Sequence, residues 1–126
     1  MSKILVGIKR PNEEIEYKKV ENNLESIRKE IGCEMAEIIY PLGKIEEQGI
    51  ILVGDEEAKL TYKECNFWLY DKKDCFNGTA VFIRDSEENF GCLKETDKAL
   101  IDEYLKQNKM NFFEKLQVMQ YIRETF

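Results

Sequence analysis

Apolar residues recur along this chain first with the period of strands, then with that of helices. Lys3–Lys9 (KILVGIK) reads as a strand, with Ile4, Val6 and Ile8 on one face. Arg10-Pro11-Asn12 is a turn signal. Ile15, Tyr17 and Lys19, set among charged neighbours, predict a second strand, half exposed. Leu24, Ile27 and Ile31 then stand three and four apart, the buried stripe of a helix. Asn22 is its expected N-cap, with Glu25 following as in a capping box, and Gly32 its expected left-handed C-cap. Met35–Tyr40 predicts a third strand and Pro41–Gln48 a polar loop. The unbroken apolar run Ile50–Val53 predicts a central strand covered on both faces. Gly54-Asp55-Glu56-Glu57 reads as a hairpin turn leading into Ala58–Tyr62.

The second half begins with Phe67-Trp68-Leu69-Tyr70, a predicted strand with Phe67 and Leu69 on one face and Trp68 and Tyr70 on the other. Asn77-Gly78 is a strong turn signal, and Thr79–Arg84 predicts a late core strand. From there the pattern is helical. Thr96 is the expected cap of a helix that turns Leu100, Ile101, Tyr104 and Leu105 inward. Asn111 and Glu114 form a second box-like pair, ahead of an amphipathic stripe of Phe112, Leu116, Met119, Ile122 and Phe126. Early strands, one helix between the second and third of them, and two C-terminal helices predict an α+β domain with a mixed or antiparallel sheet. A single domain over residues 1–126 is expected, the last helix, about 111–126, being an extension.

Composition narrows the function. The chain has 126 residues, 43% of them hydrophobic, enough for one core. Acidic residues outnumber basic ones by 25 to 19, a net charge of −6, which argues against direct nucleic-acid binding. It suits a basic protein partner, or imitation of nucleic acid. No apolar run reaches the roughly 18 residues of a membrane span. Met1-Ser2-Lys3 leads straight into a strand without a signal-peptide pattern, so a cytoplasmic location is expected. Histidine is absent, which removes histidine triads, Cys-His dyads and imidazole metal sites. No glycine-rich phosphate loop of either common type occurs, and no catalytic residue, cofactor or metal is expected. Cys33, Cys65, Cys75 and Cys92 form no CxxC pair and read as reduced, partly buried thiols, with a Cys65–Cys75 contact conceivable across a hairpin.

Candidate binding chemistry lies in repeated acidic pairs and in the aromatic run. Glu13-Glu14, Glu46-Glu47, Glu56-Glu57 and Glu87-Glu88 fall in or beside predicted turns, where carboxylates stay solvated. If several pairs share a face, they present phosphate-like charge to a basic partner. Trp68 and Tyr70 either fill core or form an exposed aromatic contact. The expected partner surface is therefore Glu46, Glu47, Glu56, Glu57, Glu87, Glu88, Trp68 and Tyr70. The C-terminal stripe packs on its own sheet or seals a homodimer.

Several segments, taken in order, carry a resemblance: KILVGIKRPNEE, VENNLESIRKEIG, MAEIIYP, IILVGDEEAKL and GTAVFIRDSEENFGCLKETD. This order resembles a family of small domains of unknown function carried by phages, plasmids and conjugative elements of gut and soil bacteria. Gly78, Phe82, Phe90 and Leu93 fit its pattern as turn and core residues. Asp55, Ala58 and Asn66-Phe67 depart from it, where Asn, Gly and Asn-Arg are expected. The resemblance implies a mobile-element origin and no particular reaction. The expected function is non-enzymatic: binding and inhibiting a host defence protein, for example a basic, nucleic-acid-binding CRISPR effector. The alternative is a module that binds or sequesters a nucleotide signal, using aromatics near Trp68 with Arg10 or Arg84.

Overall fold

The computed structural model describes residues 3–87 and 89–126. Its main sheet has five strands in the order β2-β1-β7-β4-β3, every neighbouring pair antiparallel. The strands are β1 (Lys3–Lys9), β2 (Glu16–Glu21), β3 (Ala36–Ile39), β4 (Ile50–Asp55) and β7 (Ala80–Arg84). A separate antiparallel pair, β5 (Cys65–Leu69) and β6 (Asp74–Asn77), lies outside it. Four helices complete the chain: α1 (Leu24–Ile31), α2 (Gly43–Glu47), α3 (Glu95–Gln107) and α4 (Phe112–Thr125). The α+β expectation holds, with an antiparallel sheet.

Antiparallel sheets often leave one face wet; the interior strands of this one are covered on both. Ile4, Val6 and Ile8 of β1, Ile51 and Val53 of β4, and Val81 and Ile83 of β7 pack with Ile27 and Ile31 of α1. On the other face, Ile50, Leu52, Ala80 and Phe82 meet Phe67, Leu69 and Phe76 of the small sheet, Ile45 of α2 and Ile101 of α3. Alternate side chains thus enter different cores, which is why Ile50–Val53 is apolar without a break. β7, not β4, occupies the centre.

Gly54 sets how closely the two sheets approach. A Cβ there would overlap the ring of Phe76. Gly54→Ala is expected to cost about 1–3 kcal/mol of stability by overpacking. The loss in a Phe76→Leu background should be smaller, as urea denaturation of the four variants in a double-mutant cycle would show.

Several local expectations are corrected. Asn23, not Asn22, caps α1 by accepting from the Ser26 N–H at 2.8 Å, because both polar ends of the Asn22 amide are bonded to the Phe90 backbone. Gly32 is the left-handed C-cap, with φ of 77°. Leu24 is 46% exposed, so only Ile27 and Ile31 form the buried stripe. The expected loop over 41–48 contains α2. Residues 58–62 form no strand; Lys63 N–H bonds back to Ala58 O at 2.9 Å and closes a compact turn, leaving Leu60 and Tyr62 exposed. Thr96 lies inside α3; the N-cap position is Lys94, whose N–H donates to the Asp97 carboxylate at 2.7 Å. That carboxylate also takes two bonds from Arg84 at the end of β7, at 2.8 and 2.9 Å, tying α3 to the sheet.

α4 carries the expected Asn111–Glu114 capping box, but it turns a different face inward. Val118, Met119 and Ile122 pack with Cys65, Cys75, Met110 and Trp68, while Phe112, Phe113, Leu116 and Phe126 are exposed. All four cysteines are free, and the Cys65 and Cys75 sulfurs touch at 3.7 Å beneath this helix.

Candidate functional site

β3 is an edge of the main sheet: it pairs with β4 on one side and ends the strand order. An edge leaves backbone donors and acceptors free for another chain. Met35, Ile38, Tyr40 and Leu42 are exposed along and beside it, and Leu60 joins them from the 58–62 turn. Between this edge and β6 lies a cleft of about 580 Å³, bordered by Glu37, Glu56, Lys59, Tyr70 and Asp74, with Phe126 at one end. The turn wall is held to the chain end by Tyr62, whose hydroxyl donates to the Phe126 carbonyl at 2.6 Å.

The charge around the cleft is predominantly negative. Lys59 Nζ reaches Asp74 at 3.3 Å and donates to Cys75 O at 3.0 Å, and Lys63 Nζ lies 2.6 Å from Asp55. Glu37 and Glu56 have no such partner among the described residues. Partial burial, followed by the neighbouring carboxylates of Glu56, Asp55 and Asp74, pushes the Glu37 carboxyl above its ordinary range, with Lys59 opposing. Burial likewise raises the Tyr70 phenol, with Asp74, Glu37 and Glu46 adding to it.

Tyr70 also borders a second cleft, of about 370 Å³, between α2, α3 and the turn after β5. Its lip is strained: Leu42, Tyr70 and Asp71 all have positive φ, from 51° to 63°. Non-glycine residues adopt this conformation at a cost and only where their surroundings enforce it.

The expected surface residues therefore divide. Glu56 and Tyr70 meet at the β3 edge, with Glu46 close enough to act on the Tyr70 phenol. Glu46 is also occupied locally, accepting from Leu42 N–H at 2.9 Å. Glu57 is exposed in the same turn as Glu56. Glu46 and Glu47 precede β4 and Glu56 and Glu57 follow it, so they lie at opposite ends of that strand. Glu87 follows β7 at the Glu47 end, because Ile50 pairs with Arg84. Glu46, Glu47 and Glu87 thus stand at one end of the β4–β7 pair, and Glu56 and Glu57 at the other. Glu88 lies outside the described residues. Trp68 is half-buried under α4 and is not a free aromatic contact. Glu37, Asp74, Ile38 and Tyr40 were missed; the alternation of MAEIIY carried the signal for the last two.

A family model described as a domain of unknown function, DUF3846, matches residues 3–109. The chain belongs to the DUF3846 family. The matched segment holds both sheets and the first three helices, while α4 lies beyond it. Comparison with curated proteins and with solved structures finds no match. Among the described residues of this DUF3846 protein, no helix is long and apolar enough to cross a membrane, and no group of three or more Cys, Asp or Glu is arranged to hold a metal ion.

Proposed function

We propose that this chain is a non-enzymatic binding protein that occludes a basic surface of a partner protein through the β3 edge and its acidic cleft. The observation that carries this reading is the combination, on one free sheet edge, of exposed Ile38, Tyr40 and Leu60 with the carboxylates of Glu37 and Glu56. Apolar side chains and free backbone groups give a partner something to bury and to pair with. The surrounding negative charge steers a positive surface toward them. The mobile-element resemblance supplies the finer reading: a phage, plasmid or conjugative-element protein that blocks host defence, with a CRISPR effector's nucleic-acid groove as the basic surface. The lack of histidine supports binding over catalysis. The residues expected for a nucleotide-signal binder are otherwise engaged. Arg84 is held by Asp97, Arg10 lies 3.0 Å from Glu16, and Trp68 is under α4.

Inhibition of target cleavage by purified CRISPR effectors tests the proposal. Glu37→Lys with Glu56→Lys, or Ile38→Asp alone, should weaken inhibition by about tenfold or more, with the charge variants most affected at low salt. Glu87→Lys, at the other end of the sheet, should leave it unchanged. Inhibition that ignores the β3-edge variants, or no inhibition of any effector, would show the reading to be wrong.

A further inference from the structure

On the far side of the molecule, in an acidic protein, four lysines gather without acidic partners. Lys9, Lys106, Lys109 and Lys115 line a cleft of about 570 Å³ between β1, α3 and α4. Among the described residues, no carboxylate lies within 4.0 Å of any of their ammonium groups. We propose that this cleft binds a small organic phosphate, with Lys9, Lys109 and Lys115 holding the phosphate.

Two of the cations are fixed in place. Lys9 Nζ donates to Arg10 O at 2.8 Å and to Asn66 Oδ1 at 3.2 Å. An ammonium has three N–H groups, so one remains for a ligand. Asn66 is itself 4% exposed and locked, its amide donating to the carbonyls of Lys9 and Gly78 at 2.8 Å each. Lys115 Nζ donates to Asn12 Oδ1 at 2.6 Å. Among the described residues, Lys109 makes no side-chain hydrogen bond. Burial, then the charge of Lys115, lowers the Lys9 pKa; Lys109 adds to this, and Glu13 and Glu14 act the other way. Positive charge crowded into partial burial is relieved by a bound anion.

The rest of the lining selects the kind of anion. Ile15 and Leu105, both half-buried, provide apolar surface beside the lysines, suited to the body of an organic molecule. Glu13 and Glu14 are exposed, and Asp102 accepts from the Tyr17 hydroxyl at 2.8 Å. All three line the cleft with the lysines, so a polyanionic strand crossing it is repelled more than a single phosphate held at the lysines. Lys115 belongs to α4, beyond the family-matched segment, so the site extends past that segment. β7 and β4 separate β1 from the β3 edge, so the cleft stands or falls apart from the protein-binding surface.

Isothermal titration of the full chain with adenosine monophosphate, adenosine and inorganic phosphate tests the proposal. Adenosine monophosphate should bind saturably, more tightly than inorganic phosphate, and adenosine should not bind. Lys109→Met and Lys115→Met should each reduce affinity about tenfold, with unchanged circular dichroism, while Lys29→Met on α1 should have no effect. Absence of saturable binding by adenosine monophosphate overturns the proposal. So does binding that survives the combined lysine variants, or that adenosine or inorganic phosphate matches.

Discussion

Replacing Asp97 with alanine is expected to lower the free energy of unfolding by about 3–5 kcal/mol, the usual loss when one member of a buried ion pair is removed. The Asp97 side chain is 5% exposed and that of Arg84 21%, so the guanidinium left behind stays largely shielded from water. The same carboxylate accepts the Lys94 N–H at the start of α3, so the substitution also uncaps that helix. Burial pushes the Asp97 carboxyl up, but the hydrogen bonds from Arg84 and Lys94 and the nearby positive charge together hold it below its ordinary value. A carboxyl with a depressed native pKa contributes stability that is present above the unfolded value, about 3.9, and lost as pH falls through the native one. Urea midpoints of the wild type should therefore fall below about pH 4. Asp97→Asn should be less stable at neutral pH and show a shallower acid decline. A neutral-pH loss under about 1 kcal/mol would mean that the pair is replaceable.

Phe67→Ala should be comparably severe, at about 3–5 kcal/mol. Phe67 is 1% exposed and joins the two sheets: its ring stacks on Phe76 at 5.2 Å and meets Phe82 of β7 and Tyr104 of α3 at 5.8 and 6.0 Å. Removing it opens a cavity bounded by β5, β6, β7 and α3, none of which can close it alone. Phe67→Leu should recover much of the loss in thermal unfolding. Equal losses for the two variants would instead point to a specific requirement for the aromatic ring.

What could be read ahead depended on how local the deciding interaction was. β1 is legible to the residue because the apolar segment between Lys3 and Lys9 is decided by its own side chains. Asn22 and Asn23 are equally good caps by type, and Phe90, far along the chain, decides between them. Thr96 is a proper cap residue, overruled by Arg84 reaching Asp97. α4 is plainly helical, yet the sulfur-rich patch under it selects the buried face. The same limit hid the sites. Adjacent glutamates are conspicuous in sequence but Glu46-Glu47 and Glu56-Glu57 fall at opposite ends of β4, whereas Glu37, Asp55, Glu56 and Asp74 come together only through the fold. Lys9, Lys106, Lys109 and Lys115 give no signal as single residues, and their cleft exists only once β1, α3 and α4 meet.

The strand order also bears on how the chain assembles. β1 with β2, and β3 with β4, are pairings between sequence neighbours that close early. Neither hairpin touches the other within the sheet; β7 inserts between them, pairing Gly7 with Phe82 on one side and Leu52 with Phe82 on the other. Until residue 84 has left the ribosome, each hairpin holds an open, apolar edge, and such edges are where chains associate wrongly. One late strand then joins both halves through contacts distant in sequence, the kind that slows folding. β7 is thus the keystone of the sheet, and folding rate should depend on it more than on the edge strands.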